Sequence, residues 1–511
     1  MSISRRWLAP LFAGPILTVC AISAQEKLNP DKAPPSVPAT VNTSLEWLVP
    51  DTSKMAPFAE QVPIAFVGRG QNAAAWAKLP KFWNTVEETA FDPVAGRNVT
   101  RKAVKIKLPL GINVPPTIPT ENALTVAKFN LGKALYYDPI LSSSNLVSCA
   151  TCHAPAMGFS DGSRVSTGIA GKKGGMNSPT VINSAWNRFQ FWDGRAESLE
   201  GQAQGPVGNS SEMFDGSGHA WNNTVTRLRK NDSYNSQFLR EFGHAPTQDA
   251  IAKAIGTYER LVIVGNAIYD RAEVAMRKRV DDEEGTKFVT SAKDYETVLR
   301  EAFAAKDTHS LKALNLGPTD AAKIPEVAGS IQRGRDIFFG KARCTQCHVG
   351  ESFTDHGFHN LGVGVADGKL PQSQLGRFGA QVTGAKDITA MGAFKTPPLR
   401  ALLQSKPYMH NGMETTLEQV VEFYNRGGNA NEFLDPKMRD LEAENAWIAA
   451  KAAGKPWEGV EVKVFTHALK PIVPMALKLT VEEQKDLVMY LRALESDPVD
   501  ATIADATWIA K

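Results

Sequence analysis

Two copies of one short cysteine–histidine pattern constrain this chain more than any other feature of its sequence. The first copy reads CATCH over 149–153 and the second reads CTQCH over 344–348. In C-x-x-C-H, two thiols on one side of a helical turn can bond the vinyl groups of one haem, and the histidine then ligates the iron. A redox dithiol or half of a zinc site shares C-x-x-C, but two complete copies favour haem. The sequence therefore predicts two covalently bound c-type haems, held by Cys149, Cys152 and His153 for haem one and by Cys344, Cys347 and His348 for haem two.

The N-terminus is typical of a secretory signal peptide. Arg5 and Arg6 precede an apolar run over 7–22. This run contains the fifth cysteine, Cys20, and small residues follow it. An uncleaved membrane anchor is the alternative, but the run is short for a membrane span, and the paired arginines also permit twin-arginine export. We therefore predict a signal peptide over 1–24 and a periplasmic mature protein with no membrane span. The formal net charge of +3 does not suggest a nucleic-acid partner.

The rest of the chain repeats one plan, a helical pattern that leads into a haem motif. Apolar residues recur at helical spacing over 122–138 before the first motif and over 325–342 before the second. An alternating stretch, KAVKIKL over 102–108, indicates a strand. We predict a mainly α fold with two cytochrome-c-like haem domains and an N-terminal extension of mixed and irregular structure. The predicted boundaries are 25–119 for the N-terminal tail and extension, 120–322 for the first haem domain, 323–498 for the second and 499–511 for a C-terminal tail.

Four long segments resemble the bacterial di-haem cytochrome c peroxidase family, and within it the MauG type. They run in family order and begin LGKALYYD, NSPTVINS, CTQCHVGE and GAFKTPPL, at 131–153, 177–213, 344–364 and 392–428. The resemblance extends over roughly 120–494. It implies an enzyme, a di-haem peroxidase or a MauG-type oxidoreductase, that acts with hydrogen peroxide.

The loop after the first motif departs from the ordinary peroxidases of this family. In those enzymes the loop carries a histidine that ligates the first iron at rest. Here the loop over 154–180 contains no histidine, and Ile169 occupies the corresponding position. Met157 follows His153 too closely to reach the opposite face of the iron. The resemblance therefore implies a five-coordinate haem one that is open to peroxide.

The resemblance also implies acid–base help beside haem one. Glu212, in GPVGNSSEM, matches the family glutamate that moves a proton between the two peroxide oxygens. Gln202 and Pro206 match neighbouring positions of the same pocket. A glutamate in a loop is otherwise most often a solvated surface carboxylate.

Several further residues match family positions between the haems. Trp192 matches a tryptophan that relays electrons, although a tryptophan can also simply pack in a core. Arg195 could pair with a haem propionate. A calcium ion between the haems is implied by the oxygen ligands Asn177, Ser405 and Pro407.

The sixth ligand of haem two is expected at a tyrosine. In ordinary family members a methionine ligates this iron fourteen residues after the histidine that matches His410, and that position is Tyr424 here, as in the MauG type. A phenolate favours oxidised iron, whereas methionine raises the potential. Tyr424 is predicted on a helix that begins near Thr415–Thr416 and ends at Gly427–Gly428. The alternative ligands are Met475, Met409, Met413 and His410.

Both haem sites are therefore expected to differ from those of a simple peroxidase, with an open face at haem one and a ligand that favours oxidised iron at haem two. The resemblance implies a periplasmic oxidoreductase that reacts with peroxide at haem one and forms a high-valent di-haem state for long-range oxidation of a substrate or protein residue. The alternative is a detoxifying peroxidase that receives electrons from a small cytochrome c or cupredoxin. A third class, a non-enzymatic di-haem electron carrier, would protect both iron faces.

Overall fold

The computed structural model describes residues 49–282, 287–381, 386–460, 462–464 and 471–510. In these ranges the chain is mainly helical with little sheet, as predicted. The predicted signal peptide, with Cys20, lies outside the described residues. Within the described ranges, no helix has both the length and the apolar character that crossing a membrane requires.

The helices follow one another along most of the described chain. In the first half they are α1 Ala73–Lys78, α2 Val126–Tyr137, α3 Cys149–Cys152, α4 Leu199–Gly208, α5 Ala220–Lys230, α6 Asp232–Phe242, α7 Gln248–Glu259 and α8 Ile268–Asp282. In the second half they are α9 Ala292–Ala304, α10 Thr308–Ala313, α11 Ile324–Phe339, α12 Arg377–Ala380, α13 Leu417–Asn425, α14 Leu441–Ala452, α15 Val481–Ala493 and α16 Ala501–Ala504.

The N-terminal extension forms a three-stranded sheet. Strands β1 Ile64–Val67, β2 Trp83–Asp92 and β3 Arg97–Lys107 lie in the order β1-β3-β2, with β1 parallel and β2 antiparallel to β3. The strand predicted over 102–108 is confirmed within β3. Short two-residue pairs complete the described sheet structure: β4 Phe358–His359 with β5 Phe394–Lys395, and β6 Lys463–Val464 with β7 Pro471–Ile472.

The predicted helix around Tyr424 is confirmed as α13. Its N-cap is Thr416, whose hydroxyl accepts a hydrogen bond from the Gln419 backbone N–H, while the Gln419 side chain accepts one from the Thr416 N–H. This reciprocal capping box satisfies backbone donors that the first helical turn leaves free. The chain leaves the helix through Gly427, which has a positive φ of 86°.

Each helix that leads to a haem motif crosses a partner helix at a glycine. A Cβ atom on Gly132 of α2 would lie 1.8 Å from the Ala254 carbonyl oxygen of α7. A Cβ atom on Gly334 of α11 would lie 1.9 Å from the Asp486 carbonyl oxygen of α15. The backbones can therefore approach this closely only at glycine, and the two halves of the chain share this construction.

We expect Gly334→Ala to lower the free energy of unfolding by about 1–3 kcal/mol, because the added methyl group forces α11 and α15 apart. Gly329→Ala, in the same helix, is the matched control. Its Cβ would meet only the Arg333 guanidinium, at 3.3 Å, and alanine is the better helix former. Denaturant unfolding of the holoprotein measures both. Equal stability of the two variants would contradict the close helix crossing.

Two large apolar cores lie beside the two motifs. The first joins α2 and α7 to the N-terminal sheet and to the C-terminal segment, with Phe129, Tyr258, Trp83 and Ile503 among its buried members. The second joins α8, α9, α11 and α15. A further cluster packs α4 and α5 against α2 and α7.

The second core contains residues on both sides of the predicted domain boundary at 322, and that boundary stays a prediction. Helices α8 and α9 lie before that boundary but pack with α11 and α15 in the second core. After Val264, the buried members of the first core are Ala401 and then Ile503 and Ala510 of the C-terminal segment. The reason is that α9 packs against α11 and α8 packs against α9, long-range contacts that helical spacing alone does not reveal. The segment predicted as a C-terminal tail over 499–511 also packs, through Ile503, against the first core.

Candidate haem sites

A cavity of about 530 Å³ lies between the two C-x-x-C-H motifs and is lined by both. The motif residues on its wall are Cys152, His153, Cys344, Cys347 and His348. The wall also contains the predicted site residues Trp192, Arg195, Gln202, Pro206, Glu212, Asn177, Ser405, Pro407 and Tyr424. Cys149 is half-buried and packs at the edge of the first core. The structure thus brings together residues that are far apart in the sequence, while their individual roles stay predictions.

The motif cysteines are not paired with one another in disulfides. Burial raises the pKa of Cys152 to about 11 and that of Cys344 to about 12, and it raises the pKa of Cys149 still further. Reactive redox cysteines have lowered pKa values instead. The raised pKa values therefore do not favour a redox dithiol.

Both motif histidines are held for metal ligation through Nε2. Nδ1 of His348 lies 2.8 Å from the Phe353 carbonyl oxygen. Nδ1 of His153 lies 3.1 Å from the Ser178 hydroxyl, which itself donates to the Cys152 carbonyl, and 3.3 Å from the Phe159 carbonyl. Burial lowers the pKa of both imidazoles, that of His348 to about 4. A neutral imidazole with an engaged Nδ1 is the usual form of a histidine ligand.

A buried lysine in the cavity wall also fits haem. Lys395 is 6% exposed, and in the described part of the chain its ammonium has no carboxylate partner. Burial lowers its pKa to about 8. Burying an unpaired cation is costly, and an anionic group such as a haem propionate would offset that cost by pairing with the Lys395 ammonium. Thiols, neutral imidazoles and this cation together match the chemistry of haem.

A second set of potential metal ligands does not form a metal site. Cys347, Asp355 and His359 offer ligand atoms within 4.8 Å of one another. However, Nδ1 of His359 lies 2.7 Å from Asp435 and Nε2 lies 2.8 Å from Asp355. Burial opposes the charge of His359, but hydrogen bonds to Asp435, Cys347 and Asp355 raise its pKa to about 10. Both ring nitrogens therefore contact carboxylates, and the raised pKa favours the imidazolium, which is not a metal ligand.

The loop after the first motif contains Ile169, the residue predicted to replace the distal histidine. Ile169 is buried in the apolar cluster that contains Val207 and Met213. Its backbone N–H donates to the Glu212 carbonyl oxygen at 2.8 Å. This contact ties the loop to the segment that carries the predicted acid–base residue.

Glu212 lines the cavity with a carboxyl group that is largely withdrawn from water. Burial raises its pKa, and the charge of Arg195 and a hydrogen bond from Asn209 oppose that rise. The Asn209 amide donates to Glu212 Oε1 at 2.5 Å. Gln202 and Pro206 lie one turn apart on α4 and line the same wall. The arrangement can hold or release a proton at Glu212.

Arg195 lies at the cavity wall with one side open to solvent. Its guanidinium pairs with Asp193 at 2.9 Å and lies 3.6 Å from the centre of the Phe191 ring. The pairing with a propionate therefore stays a prediction, and Lys395 offers the more deeply buried cation.

Trp192 is fixed in the middle of the cavity wall by two hydrogen bonds. Its indole N–H donates to the Asn177 carbonyl at 2.9 Å, and its own carbonyl accepts from the Lys395 backbone N–H at 2.8 Å. Its ring centre lies 6.3 Å from that of His410, which stacks on Phe394. These hydrogen bonds connect Trp192 to Asn177 in the first half of the chain and to Lys395 in the second, so its position is fixed more firmly than packing alone would fix it.

Four of the five candidate ligands for haem two line the same cavity: Tyr424, Met475, Met409 and His410. Tyr424 lines the cavity, and burial, then the nearby Cys347 and Cys344, raise the pKa of its phenol. Met475 also lines the cavity. The Met413 side chain is 54% exposed. His410 contacts Gln374 through Nε2 at 2.5 Å. Tyr424 stays the predicted ligand, and Met475, Met409 and His410 stay the alternatives that line the cavity.

The sequence reasoning did not single out Lys395 or Ser178. Lys395 belongs to the segment GAFKTPPLR. Its position between a phenylalanine and two prolines is the one feature of the sequence that could have indicated a buried cation. Ser178 follows Asn177 directly, but no local pattern shows that its hydroxyl meets His153.

The chain is similar to proteins of known family over most of its length. The family model described as di-haem cytochrome c peroxidase matches residues 126–279. The chain is 31% identical to the methylamine utilization protein MauG of Methylorubrum extorquens, over 75% of this chain and 83% of that protein. It is 30% identical to the cytochrome-c peroxidase IdrP1 of Denitromonas iodatirespirans, over 76% and 86% respectively.

Among solved structures, the chain is similar to a MauG-like protein associated with microbial copper homeostasis. The two share 26% identity with a TM-score of 0.54, and the match covers 78% of this chain and 98% of that one. Motifs, fold and relatives agree, and the chain belongs to the di-haem cytochrome c peroxidase family, MauG type, as a haem-dependent oxidoreductase.

Proposed function

We propose that this protein is a periplasmic enzyme that reduces hydrogen peroxide at haem one and uses the oxidising equivalents on a substrate or protein residue at a distance. The observation that supports the proposal is the loop after the first motif, where Ile169, which the resemblance aligns with the distal histidine, is buried and donates its backbone N–H to the Glu212 carbonyl oxygen. Bound haem supplies the redox chemistry, which is peroxide reduction and single-electron transfer.

The residues beside haem one position and move protons. His153 is the proposed iron ligand, and Ser178 and Phe159 orient its ring through Nδ1. The Glu212 carboxylate takes a proton from one peroxide oxygen and delivers it to the other, so that water can leave. Because burial raises its pKa, Glu212 exchanges protons nearer to neutral pH than an exposed carboxylate does.

The residues beside haem two are proposed to ligate its iron and to carry electrons between the two haems. His348 and Tyr424 are the proposed ligands, and an anionic phenolate favours oxidised iron. Trp192 is the proposed relay between the haems. Asn177, Ser405 and Pro407 are the proposed calcium ligands, since neutral oxygen atoms suit that ion.

A second candidate function is the detoxifying peroxidase. It is favoured by relatives that are named cytochrome-c peroxidases. Such an enzyme would take electrons from a small cytochrome c or cupredoxin, whereas a Tyr-ligated haem two receives them poorly.

Steady-state peroxide consumption with a reduced donor separates the two functions. We expect slow turnover with reduced cytochrome c or a reduced cupredoxin, although peroxide reacts readily with the oxidised holoprotein. Rapid, saturable turnover with either donor would instead assign the detoxifying function.

A further inference from the structure

A series of aromatic rings runs from the haem one motif to the protein surface. It begins at Tyr136, whose hydroxyl donates to the His153 carbonyl oxygen at 2.7 Å. The ring centres of Tyr136 and Tyr258 are 4.8 Å apart, and those of Tyr258 and Phe129 are 5.8 Å apart. The first part of the series is thus continuous and fully buried.

The series continues into the N-terminal sheet and the C-terminal segment. Phe129 lies 5.1 Å from Trp83 of β2, and Trp83 lies 5.2 Å from Trp508, between ring centres. Trp508 is half-buried and lines an open cleft with Trp83, Lys81 and other residues of both segments. Neither tryptophan lies in the part of the chain that the family model matches.

We propose that this series, Tyr136, Tyr258, Phe129, Trp83 and Trp508, is a one-electron path by which oxidising equivalents leave haem one and reach Trp508 at the cleft. The proposal rests on the proposed function, because peroxide reduction at haem one supplies the oxidant. Four of the five rings belong to tyrosine and tryptophan, the aromatic side chains that lose an electron most readily, and Phe129 only bridges two of them.

The hydrogen bonds of the series determine where an oxidised side chain can persist. Oxidised tyrosine is stabilised when its phenol proton passes to a base. In the described part of the chain, Tyr136 and Tyr258 donate to backbone carbonyls, which are weak bases, and Tyr258 also meets the Tyr137 hydroxyl at 3.2 Å. Neither phenol can give up its proton easily, so the missing electron is drawn from the tryptophans.

The path ends at Trp508, whose indole N–H can give its proton to water in the cleft. The Lys133 ammonium lies 5.4 Å from the Trp508 ring centre and opposes a positive charge there. Trp508 therefore keeps the oxidising equivalent as a neutral radical, after its indole N–H proton passes to water in the cleft.

The electrons and protons balance. Reduction of one hydrogen peroxide to two water molecules consumes two electrons and two protons, and two successive oxidations of Trp508 release two of each. A small one-electron reductant at the cleft, such as ascorbate, restores the indole by returning an electron, with a proton from water. Without a reductant, Trp508 loses two electrons and two protons in two steps and gains the oxygen atom of one water molecule, which gives hydroxytryptophan.

Peptide mass spectrometry of the holoprotein after stoichiometric hydrogen peroxide, without reductant, tests the path. Trp447 is the matched internal control, because it is also half-buried and has a lysine, Lys451, 4.6 Å from its ring centre. Among the described residues, Trp447 has no neighbouring aromatic ring. We expect at least about fivefold more oxygenation at Trp508 than at Trp447, a comparison that needs no substitution.

A variant tests whether the electrons follow the series. In Tyr258→Phe, which keeps the ring but lacks the readily oxidised phenol, oxygenation of Trp508 should fall towards that of Trp447. The absorbance change of the haems on mixing with peroxide is recorded in the same samples. If the haems react but Trp508 is oxygenated no more than Trp447, the path is wrong and the proposed function stands. If the haems do not react with peroxide, both are wrong.

Discussion

Glu212→Gln should slow the reaction of the oxidised holoprotein with hydrogen peroxide by about 10²–10⁴-fold, the usual contribution of a well-placed acid–base group. The substitution keeps the shape of the side chain and its hydrogen bond to Asn209 but removes the group that moves the proton. Stopped-flow absorbance of the haems measures the rate. In the wild type the rate should fall as pH decreases through the raised pKa of Glu212, because protonation removes the base, and in the variant this dependence should vanish.

Glu197→Gln is the matched control for this substitution. Glu197 is an exposed carboxylate in the same stretch of chain and does not line the cavity. The Glu197→Gln substitution should leave the rate of the peroxide reaction and its pH dependence unchanged. Both variants should contain the wild-type amount of haem. A Glu212→Gln protein that reacts with peroxide at the wild-type rate would show that another group moves the proton.

Tyr424→Phe should remove the sixth ligand of haem two and raise its reduction potential. Loss of an anionic oxygen donor destabilises oxidised iron. Because axial ligands set haem potentials over a span of about 0.8 V, we expect a rise of roughly 0.1 V or more. Potentiometric titration gives the potential, and electron paramagnetic resonance reports the change from low-spin to high-spin iron. Haem one should still react with peroxide, since its ligand and pocket come from a different part of the chain.

Met475→Leu separates the two candidate ligands of haem two. Both side chains line the cavity, but only the true ligand changes the spectrum when it is removed. We expect Met475→Leu to keep the wild-type spectrum and potential. If Tyr424→Phe retains the low-spin signal and Met475→Leu loses it, the ligand is methionine, and the detoxifying peroxidase becomes the better assignment.

Local patterns predicted much of this molecule because their causes are local. The capping residue Thr416 and the terminating Gly427 define α13 through contacts within a few residues, and the alternation over 102–108 predicted part of β3. The haem motifs also depend on short spacings. These features could be read from the sequence before any tertiary contact was known.

Other features depend on contacts between distant segments, which no local pattern encodes. The packing of Trp508 on Trp83 joins the two ends of the described chain. Helices α8 and α9 belong to the second core because α9 packs against α11 and α8 packs against α9. Lys395 is buried because the cavity forms around it, and the sequence around it shows only that its neighbours are apolar.

The most direct test of the account concerns the open face of haem one in the resting, fully oxidised holoprotein. Electron paramagnetic resonance of that state, followed by mixing with hydrogen peroxide without any reductant, decides the point. The loop around Ile169 predicts one high-spin ferric haem and an immediate absorbance change with peroxide. Two low-spin haems, with a reaction that begins only after one of them has been reduced, would contradict it.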